Sequence, residues 1–389
     1  MDTVNHLKGE RRMLDAIIIA DPHFGAIPVP KFKVELDKCL FNRLNHMKKL
    51  DMFIIAGDLF DMKEYSTSEV FKSVIEFLDR ILMMTEKLGT KIVVLKGTRT
   101  HDDYQLTTLE LIYNSKGHDR IKFIHSVTED DVDGVKFLYV PEEYILDQDE
   151  YYKEYFSKKY DILIGHGTID SIWRSKKQKR NDIMSAPVFN VEELLSVANY
   201  CYFGHEHMHK AYGKHKRFKY VGPMTVWEYD KTDAGYYIIH YSPENGLCRE
   251  EYVENENAQV LIERTMDIDN STTIDQVMSQ LESIIDSGPY DGLKVKVTID
   301  GKSPISVQAK NYIITKISLY SNVVYDISVR ESEDIESGEE YEEEEYHSIN
   351  ESQMPDDSAI AEFIKSKNGK DISLDIIRKV CGIGVNNDG

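Results

Sequence analysis

Three short apolar runs near the start of the chain constrain its fold more than any other feature. They are LDAIIIA (14–20), DMFIIAG (51–57) and KIVVLKG (91–97). Each stops at a polar or glycine-bearing turn, and their length and isoleucine and valine content predict buried strands. Between them, apolar residues recur three and four positions apart, which predicts helices at 31–50 and 66–89, the second capped by Ser66 or Ser68. This alternation indicates an α/β sheet with polar residues gathered at the carboxyl ends of its strands.

Further strands are predicted closer together and without long helices between them, so part of the sheet is expected to be antiparallel. These strands are VKFLYVP (135–141), YDILIGH (160–166), YCYFGH (200–205), RFKYVG (217–222) and GYYIIHY (235–241). From about Ala258 the order becomes strand, helix, strand, helix, strand, which we interpret as a small α+β domain at 258–330. The predicted architecture is therefore an α/β domain at 1–257 followed by this smaller domain.

The negative charge of the chain is concentrated near its end. The net charge is −21, but residues 331–389 hold 17 acidic and 5 basic side chains, so the remaining 330 residues carry only −9. The acidic segment 331–354 is predicted to be a flexible linker, because it cannot bury enough apolar surface to fold. Two short helical patterns in 355–389 cannot form a core, so we expect this helical tail to dock on a partner. The alternative is a disordered tail or one that packs back on the larger domain. Nucleic-acid binding by the rest of the chain is not excluded.

Hydropathy and cysteine spacing indicate the expected compartment. No apolar run approaches the roughly 18 residues that a membrane helix needs, and the N-terminal residues lack the apolar stretch of a secretory signal. The four cysteines form no CxxC pair, so neither a zinc ribbon nor a disulfide framework is expected. We therefore expect a soluble cytoplasmic protein without a membrane partner.

Carboxylate and imidazole side chains recur at the ends of five successive predicted strands. In chain order they are Asp21 and His23, Asp58 and Asp61, His101 and Asp102, His166, and then His205, His207 and His209. Any one of them alone is more often a turn residue, a helix cap or a hydrogen-bonded core residue. Their occurrence in one register favours a site for two divalent ions such as manganese, iron or zinc, with Asp58 as the natural bridge.

This order of motifs resembles that of the calcineurin-like metallophosphoesterases, from about Leu14 to Tyr241. The superfamily pattern is DxH, GD, GNHD or GNHE, a lone histidine and GHxH, and here it is represented by DPH, GD, KGTRTHDD, GH and GHEH. GDLFD, the helix after it, the basic hairpin after GHEH and the small second domain are similar to the SbcD branch. That branch is the nuclease subunit of the double-strand-break repair complex and includes phage recombination endonucleases. The resemblance implies a metallophosphoesterase β-sandwich flanked by helices, with a capping domain and a C-terminal helical tail.

The resemblance also implies a role for each matched residue. The first metal would be held by Asp21, His23 and His207 and the second by His166 and His205, with Asp58 bridging them. The metals are expected to be Mn²⁺, with Mg²⁺ as the alternative, and they would activate water for in-line attack on a phosphodiester. His101 would assist the transition state, and Asp102 is expected to orient His101 through a ring hydrogen bond. We interpret Asp61 as a structural cap and His209 as facing a phosphate or solvent.

KGTRTHDD (96–103) departs from the family pattern because it lacks the asparagine of GNHD. Aligned from the left, Thr98 occupies that position; aligned from the right, Thr100 does. Either way an amide oxygen is replaced by a hydroxyl, a backbone carbonyl or water, so the second metal is expected to bind less tightly. Since six of seven ligands remain, we interpret the segment as an active variant, with Thr98 as the candidate seventh metal ligand.

Two basic segments are expected to lie beside the metals and to bind the DNA backbone. The predicted DNA-binding residues are Arg174, Lys176, Lys177, Lys179, Arg180, Lys210, Lys214, Lys216 and Arg217. The alternative is that both segments are solvated loops, as most runs of charged residues are.

The predicted function is a metal-dependent DNA nuclease, both a double-strand exonuclease and a single-strand endonuclease, in an SbcCD-like complex for recombination, repair or phage replication. No GxxxxGK[ST] phosphate loop occurs in the chain, so ATP hydrolysis must come from another subunit. The resemblance implies an SbcC-type coiled-coil ATPase bound through 355–389, and a homodimer formed by helices at 66–89 and 106–115 within a heterotetramer. Two alternatives are a generic phosphatase or phosphodiesterase on the same fold, and a DNA-end-binding scaffold with weakened catalysis.

Overall fold

The structure, a computed structural model, describes residues 13–175 and 186–330. The chain divides into two compact units, Met1–Ser332 and Glu333–Gly389, and all the described residues belong to the first. The predicted linker, the predicted helical tail and the bases Lys176, Lys177, Lys179 and Arg180 lie outside the described residues. The predicted domain boundary between 257 and 258 lies within the first unit and stays a prediction.

Strands and helices alternate along the described chain. The strands are β1 Leu14–Ile19, β2 Met52–Ala56, β3 Lys91–Leu95, β4 Ile121–Ile124, β5 Thr128–Val132, β6 Val135–Val140, β7 Tyr160–His166, β8 Thr168–Ile169, β9 Val188–Phe189, β10 Ala198–Gly204, β11 Lys210–Tyr212, β12 Phe218–Tyr220, β13 Gly235–Ser242, β14 Gly246–Glu254, β15 Leu261–Ile268, β16 Gly292–Asp300 and β17 Val323–Arg330. The helices are α1 Val29–Leu36, α2 Asn42–His46, α3 Glu69–Met84, α4 Arg99–Ser115, α5 Gln148–Phe156, α6 Asp170–Ser175, α7 Val191–Val197, α8 Ile274–Ile285 and α9 Ser306–Ile317.

Two six-stranded sheets form the larger part of the fold. The first has the order β14-β13-β1-β2-β3-β4 and the second the order β11-β12-β10-β7-β6-β5. β1 to β4 are parallel to one another, as are β6, β7, β10 and β12, whereas the remaining strands pair antiparallel. The predictions of an α/β fold and of partly antiparallel pairing are confirmed. Because neighbouring central strands are parallel, their carboxyl ends lie at the same edge of each sheet.

The two sheets pack face to face through an apolar layer. Ile18 and Ile54 of the first sheet and Tyr139 and Ile164 of the second belong to this cluster, and all four are fully buried. Helices α1, α3 and α4 cover the outer face of the first sheet, and α5 and α7 cover that of the second. Both faces of the central strands are therefore buried, which is why β1 and β2 are continuous apolar runs rather than alternating ones.

The helix boundaries explain two local features of the sequence. Ser68 caps α3 by accepting a hydrogen bond from the N–H of Phe71 at 3.0 Å. Of the two predicted caps, Ser66 and Ser68, the second is therefore confirmed. Helix α4 begins at Arg99, so the second half of KGTRTHDD is the first turn of a helix rather than a free loop. The helix predicted at 31–50 is interrupted by a π-helical stretch, Asp37–Phe41, between α1 and α2.

The region 258–330 has a core of its own. Its strands pair in the order β15-β16-β17, all parallel, and α8 and α9 connect them. The prediction of a small α+β unit is corrected here, because strictly alternating elements around a parallel sheet form an α/β unit. Lys31 on α1 joins this unit to the larger sheets through Gln259 at 2.9 Å and Asp291 at 3.0 Å.

No helix within 13–175 or 186–330 combines the length and the apolar character that crossing a bilayer demands.

Candidate metal centre

The carboxyl ends of strands from both sheets meet at one place. β1, β2 and β3 of the first sheet lead to Asp21, Asp58 and Thr98, and β7 and β10 of the second lead to His166 and His205. The sheets are tied together here, because the ring Nδ1 of His166 lies 2.9 Å from the carbonyl oxygen of Ala56 on β2. Side chains far apart in sequence are thus brought to one site by the topology of the fold.

One group of candidate ligands consists of His23, Asp58 and His207, which we call the first group. The Nε2 atoms of His23 and His207 lie 3.1 Å apart, and Asp58 Oδ2 lies 3.7 Å from Nε2 of His23. His23 and Asp58 are each 2% exposed, so these polar atoms are withdrawn from water. Imidazole nitrogen and carboxylate oxygen together suit borderline divalent ions.

A second group consists of Asp58, His166 and His205. Asp58 Oδ2 lies 3.1 Å from Nε2 of His166, which is fully buried. Within each group the ligand atoms lie within 4.8 Å of one another, and Asp58 belongs to both. A carboxylate shared in this way has the position that a bridge between two divalent ions requires, so the residues present fit a two-metal centre.

Asp21 lies beside these groups but in neither of them. It is fully buried, and its two carboxylate oxygens accept the backbone N–H of His205 at 2.9 and 3.1 Å. Asp21 therefore positions the backbone that carries a second-group ligand, and its role as a ligand of the first metal stays a prediction.

Four candidate ligand and positioning residues have strained backbones. Asp21, His23, Asp58 and His205 have positive φ angles of 46°, 43°, 48° and 92°. L-residues rarely adopt this left-handed region, and each such residue costs of order 1–3 kcal/mol. Strain at four residues of one site supports a functional role, since strained residues cluster at active and ligand-binding sites.

Glycines make the close approach of the two sheets possible. A Cβ atom on Gly97 would overlap the backbone nitrogen and carboxylate of Asp58. A Cβ atom on Gly204 would lie 2.7 Å from Asp21 Oδ1 and 2.8 Å from His166 Nδ1. The glycines of the KGT and GHEH segments are therefore required by packing against the ligands.

Thr98, not Thr100, lies at the candidate metal centre. Its side chain makes no capping bond to α4 and lies 3.1 Å from Asp58 Oδ2, while Thr100 is exposed. The backbone N–H of Thr98 also donates to Asp58, so the positive end of the α4 dipole faces this carboxylate. The structure thus supports alignment of the segment from the left.

Glu142 is a component of the site that the sequence analysis missed. It is fully buried, and its Oε2 lies 3.1 Å from His205 Nδ1, 3.3 Å from Thr98 Oγ1 and 4.0 Å from His166 Nε2. Its signal in the sequence was position: it follows the strand VKFLYVP, as the other candidate ligands follow theirs. It was overlooked because it belongs to none of the recognised motifs.

The predicted pairing of His101 with Asp102 is wrong. Asp102 is fully buried and accepts the backbone N–H groups of Gly97 at 2.8 Å and Leu59 at 3.0 Å. It therefore joins the turns after β2 and β3, and burial, followed by the charge of Asp58, raises the pKa of Asp102 to about 7. Consecutive helical residues point about 100° apart, which is why Asp102 does not face the ring of His101.

Asp61 is the residue that orients His101. Its backbone carbonyl accepts a hydrogen bond from His101 Nδ1, and the ring of His101 meets that of His23 edge to face at 4.8 Å. The Asp61 carboxylate lies 3.4 Å from His23 Nδ1, an electrostatic contact rather than an aligned hydrogen bond. The interpretation of Asp61 as a structural cap is therefore corrected.

Opposite charges compensate one another in the second group. Burial is the largest single influence on His166 and favours its neutral form, but the charge and hydrogen bond of Asp58, together with the charges of Asp21 and Glu142, outweigh burial and raise the pKa of His166 to about 10. Burial likewise opposes ionisation of Glu142, but its hydrogen bond with His205 and the charge of His166 lower its pKa below the usual value. In the ion-free protein, protons on histidine balance the carboxylates, and a cation would take over that role.

His207 and His209 differ in environment although they are two residues apart. His207 Nδ1 lies 3.0 Å from Glu228 Oε1, a carboxylate contact that fixes the ring and leaves Nε2 for a metal. His209 stacks on Tyr252 with ring centroids 3.5 Å apart, and its Nε2 lies 2.6 Å from the hydroxyl of Tyr237. His209 therefore belongs to neither ligand group, and its partly exposed ring packs against tyrosines.

The basic hairpin after GHEH lies only partly beside the metal groups. Lys210 begins β11 at the carboxyl end of β10, and its side chain is exposed. Arg217 lies opposite the start of β10, where its carbonyl accepts the N–H of Cys201. At the usual rise per strand residue, this part of β10 is about 16 Å from His205. Lys214 and Lys216 belong to the same turn. The predicted placement of Lys214, Lys216 and Arg217 beside the metals is wrong. DNA binding by these three residues and by Lys210 stays a prediction.

Comparisons with known proteins do not assign a family. A scan against protein-family models found no match, and neither did a search of curated proteins.

Proposed function

We propose that this chain is a calcineurin-like metallophosphoesterase of the SbcD type, a hydrolase that cleaves DNA phosphodiester bonds with two divalent cations. The observation that carries the proposal is one buried carboxylate, Asp58, shared by two groups that each contain two histidines. Two packed sheets covered by helices, with the ligands at the carboxyl ends of their strands, support the same conclusion. Mn²⁺ is the proposed ion, with Mg²⁺ as the alternative.

The two ligand groups and His101 would take different parts in the reaction. Cations bound at the two groups would supply Lewis acidity to the phosphodiester and activate water for attack. His101 carries a proton on Nδ1, because that atom donates to the Asp61 carbonyl, so Nε2 is the atom left to meet the substrate. When protonated, Nε2 can donate to the leaving oxygen or stabilise its developing charge.

The proposed partners are DNA and an SbcC-type ATPase. Exposed Lys210 at the metal edge supports contact with a phosphate backbone, and Arg174, whose helix α6 follows the His166 strand, belongs to the same proposal. Homodimerisation through α3 and α4 is supported by Tyr104 and Leu111, which are 74% and 65% exposed on α4. Binding of the ATPase through 355–389 and action in the cytoplasm remain parts of the proposal carried by the resemblance.

A nuclease assay tests the proposed function. The full-length chain, supplied with Mn²⁺ and its ATPase partner, is expected to degrade linear duplex DNA. The variant His101→Ala is expected to lose roughly 100- to 10,000-fold in rate, the usual contribution of a general acid. His46→Ala, which alters an exposed histidine on α2, serves as the matched control and should retain full activity.

The other outcomes of this assay identify the alternatives. Hydrolysis of small phosphoesters without degradation of duplex DNA would point to a generic phosphodiesterase. Tight binding of DNA ends without cleavage at any Mn²⁺ concentration would point to a scaffold. Equal activities of His101→Ala and the unaltered chain would overturn the role proposed for His101.

A further inference from the structure

We propose that Glu142 is a direct ligand of the second cation and replaces the amide oxygen that KGTRTHDD lacks, with the Thr98 hydroxyl beside it. The inference rests on the proposed two-cation function and defines the composition of one of its two sites. The second site would then be formed by Asp58, Glu142, His166 and His205, with Thr98 as the neighbouring oxygen.

The position of Glu142 supports this role. It follows β6, the strand next to β7 in the second sheet, so it enters the site from the same edge as His166 and His205. The hydroxyl of Tyr144 donates to its Oε1 at 2.7 Å and fixes the carboxylate plane. The other oxygen, Oε2, is thereby directed at the ligand atoms of the second group.

Ligand atoms of four residues converge on the Thr98 hydroxyl. Four ligand atoms surround its Oγ1 at 3.1 to 3.4 Å: Asp58 Oδ2, Glu142 Oε2, His166 Nε2 and His205 Nδ1. A hydroxyl has one proton and can donate it once. The other close contacts are made by ring nitrogens, His166 Nε2 with Asp58 and His205 Nδ1 with Glu142. A cation at this point of convergence would replace ring protons as the partner of both carboxylates.

The spacing of these atoms also suits one cation. Neighbouring ligands of an octahedral ion with bonds of ~2.1 Å lie about 3.0 Å apart. Asp58 Oδ2 and His166 Nε2 are separated by 3.1 Å, and Glu142 Oε2 and His205 Nδ1 by 3.1 Å. Between the two pairs, Glu142 Oε2 lies 4.0 Å from His166 Nε2, close to the ~4.2 Å that separates opposite ligands of such an ion.

The replacement changes the charge of the site. An asparagine ligand is neutral, whereas Glu142 adds a negative charge to the one that Asp58 already supplies. A more anionic, oxygen-rich site attracts divalent ions more strongly and favours hard ions such as Mn²⁺ and Mg²⁺. The sequence-based expectation of a weaker second metal site is therefore reversed in this proposal.

Metal titration of purified full-length variants tests the proposal without relying on activity. Mn²⁺ stoichiometry and affinity are measured by equilibrium titration, and the electron paramagnetic resonance spectrum distinguishes a coupled Mn²⁺ pair from a single ion. The unaltered chain is expected to bind two ions and Glu142→Ala only one. Glu142→Gln, which keeps the shape and an amide oxygen, is expected to bind the second ion at least about 10-fold more weakly.

Two further variants sharpen the interpretation. Glu143→Gln is the matched control, because Glu143 is the adjacent carboxylate but binds the hydroxyl of Tyr151 and the N–H of Val127 instead of the site. It should retain two ions with unaltered affinity. The double variant Glu142→Ala with Thr98→Asn restores an amide at the family position and is expected to recover the second ion.

The outcomes separate failure of this inference from failure of the proposed function. Two ions bound with unaltered affinity by both Glu142→Ala and Glu142→Gln would overturn the role of Glu142 while leaving the two-cation centre intact. If Glu142→Ala does not fold, unaltered affinity in Glu142→Gln alone would overturn it. An unaltered chain that binds no Mn²⁺ at all would overturn the proposed function itself.

Discussion

The two ligand groups share Asp58 and are buried alike, but the carboxylates beside them lie at different depths, so we call the second group deep and the first shallow. His205 of the second group lies against Glu142, which is fully buried, whereas His207 of the first group lies against Glu228, whose side chain is 45% exposed. A buried site must satisfy its charges with protein atoms, because unpaired charges are costly away from water. A site near the surface can leave coordination positions to water and substrate. The comparison teaches that the deep group is the self-contained one, and that the shallow group is the one open to exchange.

Removing the shared carboxylate should disrupt both ligand groups and have the largest effect. Asp58→Asn is expected to lose both Mn²⁺ ions and to reduce the rate of DNA cleavage by roughly 1000-fold, because one residue serves both groups. Metal titration and the nuclease assay measure the two effects. Asp37→Asn, an exposed change on the π-helical stretch, is the control. Loss of only one ion in Asp58→Asn would contradict the bridging position.

Raising the pH should strengthen ion binding at the deep group. The raised pKa of His166, about 10, means that its ring carries a proton at pH 7 that a cation must displace. Affinity for Mn²⁺ should therefore rise with pH between 6.5 and 8.5, by about 10-fold per pH unit for each proton displaced. Titrations at several pH values, with the released protons counted, measure this. Affinity that is independent of pH would show that His166 is already neutral in the ion-free protein.

Altering the support of the shallow group should have the smallest effect. Glu228→Gln keeps a hydrogen-bond acceptor for His207 but removes the charge, so Mn²⁺ affinity at the first group should fall by only about 10-fold. The second ion should be unaffected. A loss at the second group instead would mean that the two groups do not have separate supporting residues.

The strands and the order of the ligands could be predicted from the sequence, because both depend on local patterns. β1, β2 and β3 are continuous apolar runs, and a strand buried on both faces produces that pattern whatever surrounds it. The candidate ligands directly follow such strands, so their convergence at one sheet edge follows from parallel pairing.

Features that depend on side-chain direction or on chain reversal could not be predicted. Thr98 and Thr100 could be distinguished only once the start of α4 was known, since helix geometry directs one inward and the other to solvent. Glu142 belongs to no motif by which the sequence could have identified it as part of the site. Arg217 is close to GHEH in sequence, but β11 and its turn carry the chain back along β10 and away from the site.

Gly97 and Gly204 extend the constraint on the centre beyond the atoms that would touch a cation. A single methyl group at either position would collide with a carboxylate or an imidazole of the centre. Both glycines are therefore needed for the geometry of the centre, although they contribute no functional group. Tolerance to mutation around the centre should accordingly follow the free space between the sheets rather than the chemical character of the residues that line it.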